Sequence, residues 1–240
     1  MDLLDDVIGA YGGVERWRRI DAISVHQRVG GVLWVLKGVD GIINDSTVEI
    51  RLHEQRTWLR PAPTPDIRLS FSPDRVAIET DDPAPRTVEE LTTPRDSFAG
   101  HVLETPWSTL QLAYFSGYAM WTYLSEPYSL TLPGVYIEQL GAWHEQGETW
   151  RRLAVQYPDT IATHSPNQVL YIDADGLIRR RDYSVEISAN SPAAHYSSDF
   201  LTVEGIVVPT SRVVYGRDAN GHRVDDPVLV SIDLDHVRIS

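Results

Sequence analysis

The stretch TPWSTLQLAYFSGYAMWTYLS, residues 105–125, decides how the rest of the chain must be arranged. It carries no charge, and Glu104 and Glu126 bracket it. Trp107, Leu110, Tyr114, Gly117, Tyr118, Trp121 and Leu124 fall on one helical stripe, and Leu112, Phe115, Ala119 and Tyr123 on a second. The spacing predicts a helix over residues 107–124. A helix that is apolar nearly all round has to be buried, inserted in a membrane, or laid over an apolar cavity. Its length just suffices for a bilayer. Its polar residues (Ser108, Thr109, Gln111, Ser116 and Thr122) and acidic flanks argue against a membrane span. The helix is therefore expected to pack inside or across a curved sheet.

On either side of it the chain alternates with period two. Strands are expected at Ser24–Val29, Val32–Val39, Thr47–Leu59 and Ile67–Thr80, with Gly30-Gly31 as a hairpin or bulge. Val88–Arg95 is ambiguous. Further strands are expected at Val135–Trp143, Thr149–Tyr157, Gln168–Ile172, Leu177–Ile187, Ala194–Val203, Ile206–Gly216 and Val228–Ile239. Their separators include Asp175-Gly176, Glu204-Gly205 and Asn220-Gly221, residues that accept the positive φ of tight turns. At the start, Leu3, Leu4, Val7, Ile8 and Tyr11 mark a helix over residues 2–19, which Gly12 and Gly13 end or kink. No strand–helix alternation supports a parallel sheet. The expected fold is mainly β: a curved antiparallel sheet or incomplete barrel of roughly ten strands, closed by the N-terminal and central helices. Nothing splits the chain, so residues 1–240 are read as one domain.

Among the 240 residues, 34 are Asp or Glu and 21 are Lys or Arg, giving a formal net charge of −13. That balance opposes sequence-independent binding to nucleic acid, whose phosphates need a basic face. The absence of cysteine excludes disulfides, thiolate metal sites and cysteine nucleophiles. The opening MDLLDDVIGAYGG shows no signal peptide, so a cytoplasmic location is expected.

Several segments together resemble a bacterial protein family without an assigned activity. They are AYGGVERWRRI, LQLAYFSGYAMWTYL, GETWRRL, YIDADGLIRRRDY, AAHYSSDF, GIVVPTSRVVYGRD and VLVSIDLDHVRI. More distantly, the helix followed by meandering strands resembles the LolA/LolB lipoprotein carriers. That resemblance implies an incomplete antiparallel barrel whose concave face, closed by helices, holds acyl chains.

No metal site, cofactor loop or nucleophile elbow is found. His144-Glu145 fails the two-histidine zinc pattern because residue 148 is Glu. Asp173-Ala-Asp175-Gly176 fits a hairpin turn better than a calcium loop. The best catalytic candidate is His195-Tyr-Ser-Ser-Asp199. In a strand His195, Ser197 and Asp199 share a face, yet His195 and Asp199 lie roughly 13 Å apart and cannot bond directly. Pairing of Leu177–Ile187 with Ala194–Val203 would bring Glu186 near His195 and Asp182 near Asp199, in a register that could slip by two. His195 would then act as general acid or base with Asp199 or Glu186 assisting. The competing reading is a solvent-facing polar side of the sheet.

Aromatic residues give a second candidate. Seven Trp and eleven Tyr against four Phe suit a pocket for an amphipathic or ring-bearing molecule. Four polar tips on the central helix would need four partners in a dry core, and a pocket relieves that need. The ligand-contact candidates are Trp34, Trp58, Tyr114, Tyr118, Trp121, Tyr123 and Trp143. Lys37, the only lysine, could form a Schiff base if buried but is read as an exposed strand end. The expected function is binding of a small hydrophobic or amphipathic molecule, without cofactor, metal, nucleic acid or membrane span. The alternative is a cofactor-independent isomerase, cyclase, lyase or hydrolase using His195.

Overall fold

The computed structural model describes residues 2–240. Two antiparallel meanders build its sheet. The first comprises β1 (Ala22–Gly30), β2 (Asp45–Arg51), β3 (Arg56–Arg60), β4 (Ile67–Ser72), β5 (Arg75–Thr80) and β6 (Thr87–Thr92). The second comprises β7 (Tyr136–Glu145), β8 (Glu148–Gln156), β9 (Asn167–Ile172), β10 (Ile178–Val185), β11 (Ser191–Val203), β12 (Ile206–Arg217) and β13 (Arg223–Ile239). Each strand pairs with its sequence neighbours inside its own meander. The two are joined where β1 pairs with β13, with Ile23 opposite Ile239 and Gln27 opposite Leu234. The result is one open, curved, 13-stranded antiparallel sheet with β6 and β7 at its edges.

The strand count exceeds the ten expected because two long apolar runs each fold back. Thr47–Leu59 is β2 and β3 around a turn at 52–55, and Ile67–Thr80 is β4 and β5 around Pro73-Asp74. The ambiguous Val88–Arg95 divides into β6 and a 3-10 turn, Pro94–Phe98.

The central helix, α4 (Thr109–Ser125), falls between the meanders in sequence and inside the sheet's curve in space. It starts two residues later than its apolar pattern suggests. Ser108 accepts the Gln111 N–H through its hydroxyl, and the Gln111 side chain accepts the Ser108 N–H, closing a capping box. Every residue from Leu110 to Ser125 is buried. One side of α4 packs on β2–β5. On the other side Tyr123 meets Tyr183 of β10, His195 of β11 and Arg212 of β12. Gly117 lets the helix touch the sheet: a Cβ there would lie 2.3 Å from the Phe71 side chain. Its carbonyl also accepts the Thr57 hydroxyl at 2.9 Å.

The N-terminal helix is shorter than residues 2–19. It divides into α1 (Leu3–Ala10) and α2 (Val14–Trp17) at Gly12 and Gly13, whose φ values are +107° and +83°. A Cβ on Gly12 would lie 2.1 Å from the Gly205 carbonyl oxygen in the β11–β12 turn, so this break seats the chain against the sheet. The expected strand Val32–Val39 is instead a short helix, α3 (Val32–Leu36), entered through Gly31 at φ +107°. Local propensity yields here to packing: Trp34 bonds back to the Gly30 carbonyl, and α3 lies on β13. Lys37 is fully buried rather than exposed. Its ammonium donates to the Leu103 carbonyl at 2.6 Å and lies 4.9 Å from the Trp107 ring centroid.

Two predictions follow from the close approach of Gly117 and from the strand joint. Gly117→Ala forces Phe71 to move, and overpacking of this kind costs about 1–3 kcal/mol; urea unfolding should show that loss. At the joint, His26 on β1 bonds Asp45 of β2 and Asp235 of β13, each at 2.8 Å. These hydrogen bonds, to Asp45 first and Asp235 second, hold the imidazole pKa above its ordinary 6.5. The contribution is present in full below pH 6.5 and is lost as pH rises through the raised folded-state value. The urea midpoint should therefore drop across that interval, and His26→Asn should remove that part of the slope.

Candidate functional site

A cavity of about 120 Å³ remains between α3, α4 and the β10–β13 side of the sheet. Its walls are almost wholly apolar. Trp34 comes from α3, Phe115, Ala119 and Met120 from α4, and Val214 and Ile232 from β12 and β13. The volume approaches the roughly 150 Å³ of an engineered apolar cavity that stays dry and takes up benzene. It opens beside α3, where Val32, Leu36 and Leu103 line the wall and remain 43%, 40% and 39% exposed.

Tyr123 and Tyr183 also line this cavity, and behind them lies a chain of polar groups. The Tyr183 hydroxyl is 3.2 Å from the Tyr123 hydroxyl, which is 2.8 Å from His164 Nε2. His164 Nδ1 is 3.1 Å from the Tyr118 hydroxyl. The His164 and Tyr183 rings stack at 4.2 Å. Burial, reinforced by the charges of Arg181 and Arg95, pushes the His164 pKa well below its ordinary value, so the ring is neutral. Burial pushes all three tyrosine hydroxyls up, so they keep their protons.

Beneath Tyr123 sit two buried guanidiniums. Arg181 pairs with Glu126, which is also buried. Arg212 donates to the Tyr123 carbonyl at 2.9 Å and to the Ser197 hydroxyl at 3.2 Å, and its Nε has no protein partner. Burial lowers the Arg212 pKa, opposing its charge, although Glu126 favours that charge. Arg180, one position away, points to the opposite face of the sheet. There it bonds Asp182, Glu145 and Tyr196.

The structure disperses the expected catalytic group. Arg181 lies opposite His195 and Asp182 opposite Ala194. The register differs from the expected one because β11 begins at Ser191, after a turn in which Ala189 and Asn190 take positive φ. Glu186 falls beyond the end of β10 and pairs with Arg95. Asp199, at φ +54°, is exposed. His195 does not face solvent: it is buried against the Tyr123 ring, 4.6 Å between centroids, with Nδ1 unpartnered. Burial and then Arg212 push its pKa well down.

Of the aromatic candidates, Trp34 and Tyr123 reach the cavity. Tyr114 lines a separate polar groove with Arg95, Thr163 and Glu186. Trp143 lines a third depression with Arg152 and Tyr171. Trp58 lies among the guanidiniums of Arg51, Arg56 and Arg68. Trp121 donates to the Arg51 and Glu54 carbonyls. The polar tips of the central helix thus find protein partners, contrary to the expectation that a pocket was needed to relieve them. Tyr114 reaches Arg95, and Tyr118 and Tyr123 share His164. His164 and Glu126 are site residues that sequence reasoning missed. His164 comes from an irregular connection with no periodicity, and Glu126 reads only as a helix flank. Among the described residues, no group of three or more His, Asp and Glu is gathered in a way that could hold a metal ion, and no helix is long and apolar enough to cross a membrane.

Comparison with solved structures identifies the architecture. A domain from Vibrio parahaemolyticus designated an outer membrane lipoprotein-sorting protein aligns over 99% of this chain and 91% of its own. Its identity is 8% and its TM-score 0.50. A LolA superfamily protein from Nitrosomonas europaea aligns over 91% and 85% at 11% identity, with TM-score 0.46. A DUF1329 family protein from Desulfovibrio piger aligns over 99% and 92% at 11% identity, with TM-score 0.44. The chain shares the fold of the Vibrio parahaemolyticus domain and is distant from it in sequence. No family model matches the chain, and no curated protein does.

The Arg181–Glu126 pair provides a test of the buried charges. Glu126→Gln leaves two guanidiniums with no carboxylate beside them, which should cost about 3–5 kcal/mol in urea unfolding. Replacing both partners, Glu126→Leu with Arg181→Met, should cost less, because Arg212 alone then lacks a carboxylate beside it.

Proposed function

We propose that this protein binds an apolar molecule, or the apolar part of an amphipathic one, in the cavity between α3, α4 and the β10–β13 side of the sheet. The observation that carries this reading is a cavity of about 120 Å³, walled by aliphatic and aromatic side chains. Burying apolar ligand surface there yields about 25 cal/mol per Å², and the wall has few polar groups to desolvate. The apolar mouth at Val32, Leu36 and Leu103 supports the reading, because it lets a longer molecule extend outward without meeting charge. The likeness to a lipoprotein-sorting domain is consistent with it. The enzymatic alternative gains less support from the geometry, since His195 lies behind Tyr123 and neither Asp199 nor Glu186 bonds to it.

Benzene and hexane are the probes that fit the volume, and NMR titration should show saturable binding with shifts at Ala119, Met120 and Val214. Ala119→Leu fills the cavity and should weaken both probes at least tenfold while the protein stays folded. Absence of saturable binding of either probe to the wild-type protein would overturn the reading.

A further inference from the structure

The short helix α3 stands where the apolar, β-branched run Val32–Val39 favours a strand, and its contacts show what holds it there. Five residues are too few to keep a helix by their own hydrogen bonds, so α3 stays helical because its surroundings fix it. At its start Gly31 presses on β13: a Cβ there would lie 2.4 Å from the Leu229 carbonyl oxygen. Within it, Trp34 donates its indole N–H to the Gly30 carbonyl at 2.9 Å. The Trp34 ring meets the Phe115 ring edge-on, 6.0 Å between centroids, and is buried. It cannot swing aside without losing both contacts.

Lys37 fixes the other end of α3. A buried ammonium costs free energy unless acceptors surround it. The acceptors of Lys37 lie on the segment 103–107: the Leu103 carbonyl at 2.6 Å, the Thr105 carbonyl at 3.4 Å and the face of the Trp107 ring. The Lys37 carbonyl in turn accepts the Trp107 N–H at 2.8 Å. Leu103 and Trp107, which these bonds hold against α3, line the cavity together with Leu33, Trp34 and Leu36. On its far side α3 meets water through Val35, which is 69% exposed. The helix thus stands between the cavity and solvent, and Trp34 is its largest side chain on the cavity wall. A wall fixed at both ends limits a guest by volume, because a close-packed interior yields little to an oversized one.

We propose that α3 is a fixed plug that sets the size of the apolar group the cavity admits, with Trp34 as the specificity-determining residue and Lys37 as the positioning residue that keeps the plug seated. This rests on the binding of apolar molecules in the same cavity and assigns their class. The group held inside is a compact hydrocarbon of about benzene's size, and a fused bicyclic ring is rejected. Trp34 touches the ligand; Lys37 acts through α3 and the segment 103–107.

Benzene and naphthalene, titrated by NMR against the wild-type protein and variants at both positions, form the test. The wild-type protein should bind benzene at least about tenfold more tightly than naphthalene, the scale on which an apolar pocket rejects an oversized group. Trp34→Leu vacates the indole volume and should reverse that order. Trp34→Phe removes less volume, disturbs the fold less, and should bring the two affinities together. Lys37→Met keeps the apolar stem and leaves the carbonyl of the exposed Leu103 to water. Naphthalene should then gain about tenfold, the effect of losing a bond to a charged group, while benzene binding stays within about twofold. Lys37→Arg can donate to the same carbonyls and should keep the wild-type ratio. A role of either residue in stability alone would move both probes together and leave the ratio unchanged. Equal binding of the two probes to the wild-type protein, or an unchanged ratio in both Trp34 variants, would overturn the plug, and an unchanged ratio in Lys37→Met would overturn the part given to Lys37. If benzene binds saturably in those cases, the apolar binding reading survives alone. If neither probe binds the wild-type protein, both fall.

Discussion

The whole arrangement depends on burying one helix on every side. A 17-residue helix without a charged residue cannot face water, and neither a flat sheet nor a second helix would cover its full circumference. A sheet that curls can. Long antiparallel sheets twist and coil, and thirteen strands give enough width to wrap the two flanks of α4 with opposite arms. The two meanders are the arms. Gly117 sets the closeness of one contact, and Tyr123 with its neighbours on β10–β12 sets the other. The cavity is what remains where the second arm stands off the helix and α3 closes most of the gap.

Polar groups inside that wrap are what distinguish it from an oil-filled core. Nature could have filled the space beneath Tyr123 with leucines. Instead this region holds two arginines, a glutamate, two histidines and three tyrosines, all buried. Burial on this scale is tolerated because most of the groups bond one another, and the low local dielectric strengthens those bonds. The same low dielectric keeps both histidines neutral, so acid titrates them at the expense of the fold. Their effect on stability is opposite in sign to that of His26, whose carboxylate partners favour the charged ring.

How much of this was legible in the sequence follows from the range over which each signal acts. The central helix, its burial and the antiparallel meanders rest on local periodicity, and period and turn residues specify them without knowledge of the partner strands. The Val32–Leu36 helix does not: β-branched and aromatic residues read as strand, and only the seat on β13 shows otherwise. Lys37 illustrates the same limit, since its carbonyl acceptor at Leu103 is 66 residues away. The candidate site was legible in kind, aromatic and bordered by the helix, and partly in residues, through Trp34 and Tyr123. His195 was given the wrong neighbours because β11 begins at Ser191 rather than Ala194, which shifts every cross-strand partner. His164 lacked any local mark, since its significance comes entirely from three tyrosines brought to it by α4 and β10.

The joint between β1 and β13 has a bearing on how the chain reaches its native state. The first strand and the last are neighbours at the middle of the sheet, so the pairing that unites the two arms spans over 200 residues. Contacts of such long range are entropically slow to form, and the chain is made from the other end. While the polypeptide grows, β1 offers an unpaired edge, and α4 has one flank bare, until β13 has emerged. An incompletely synthesised chain is therefore a sticky one, with its two most adhesive surfaces exposed together. A net charge of −13 opposes the association of such chains through mutual repulsion.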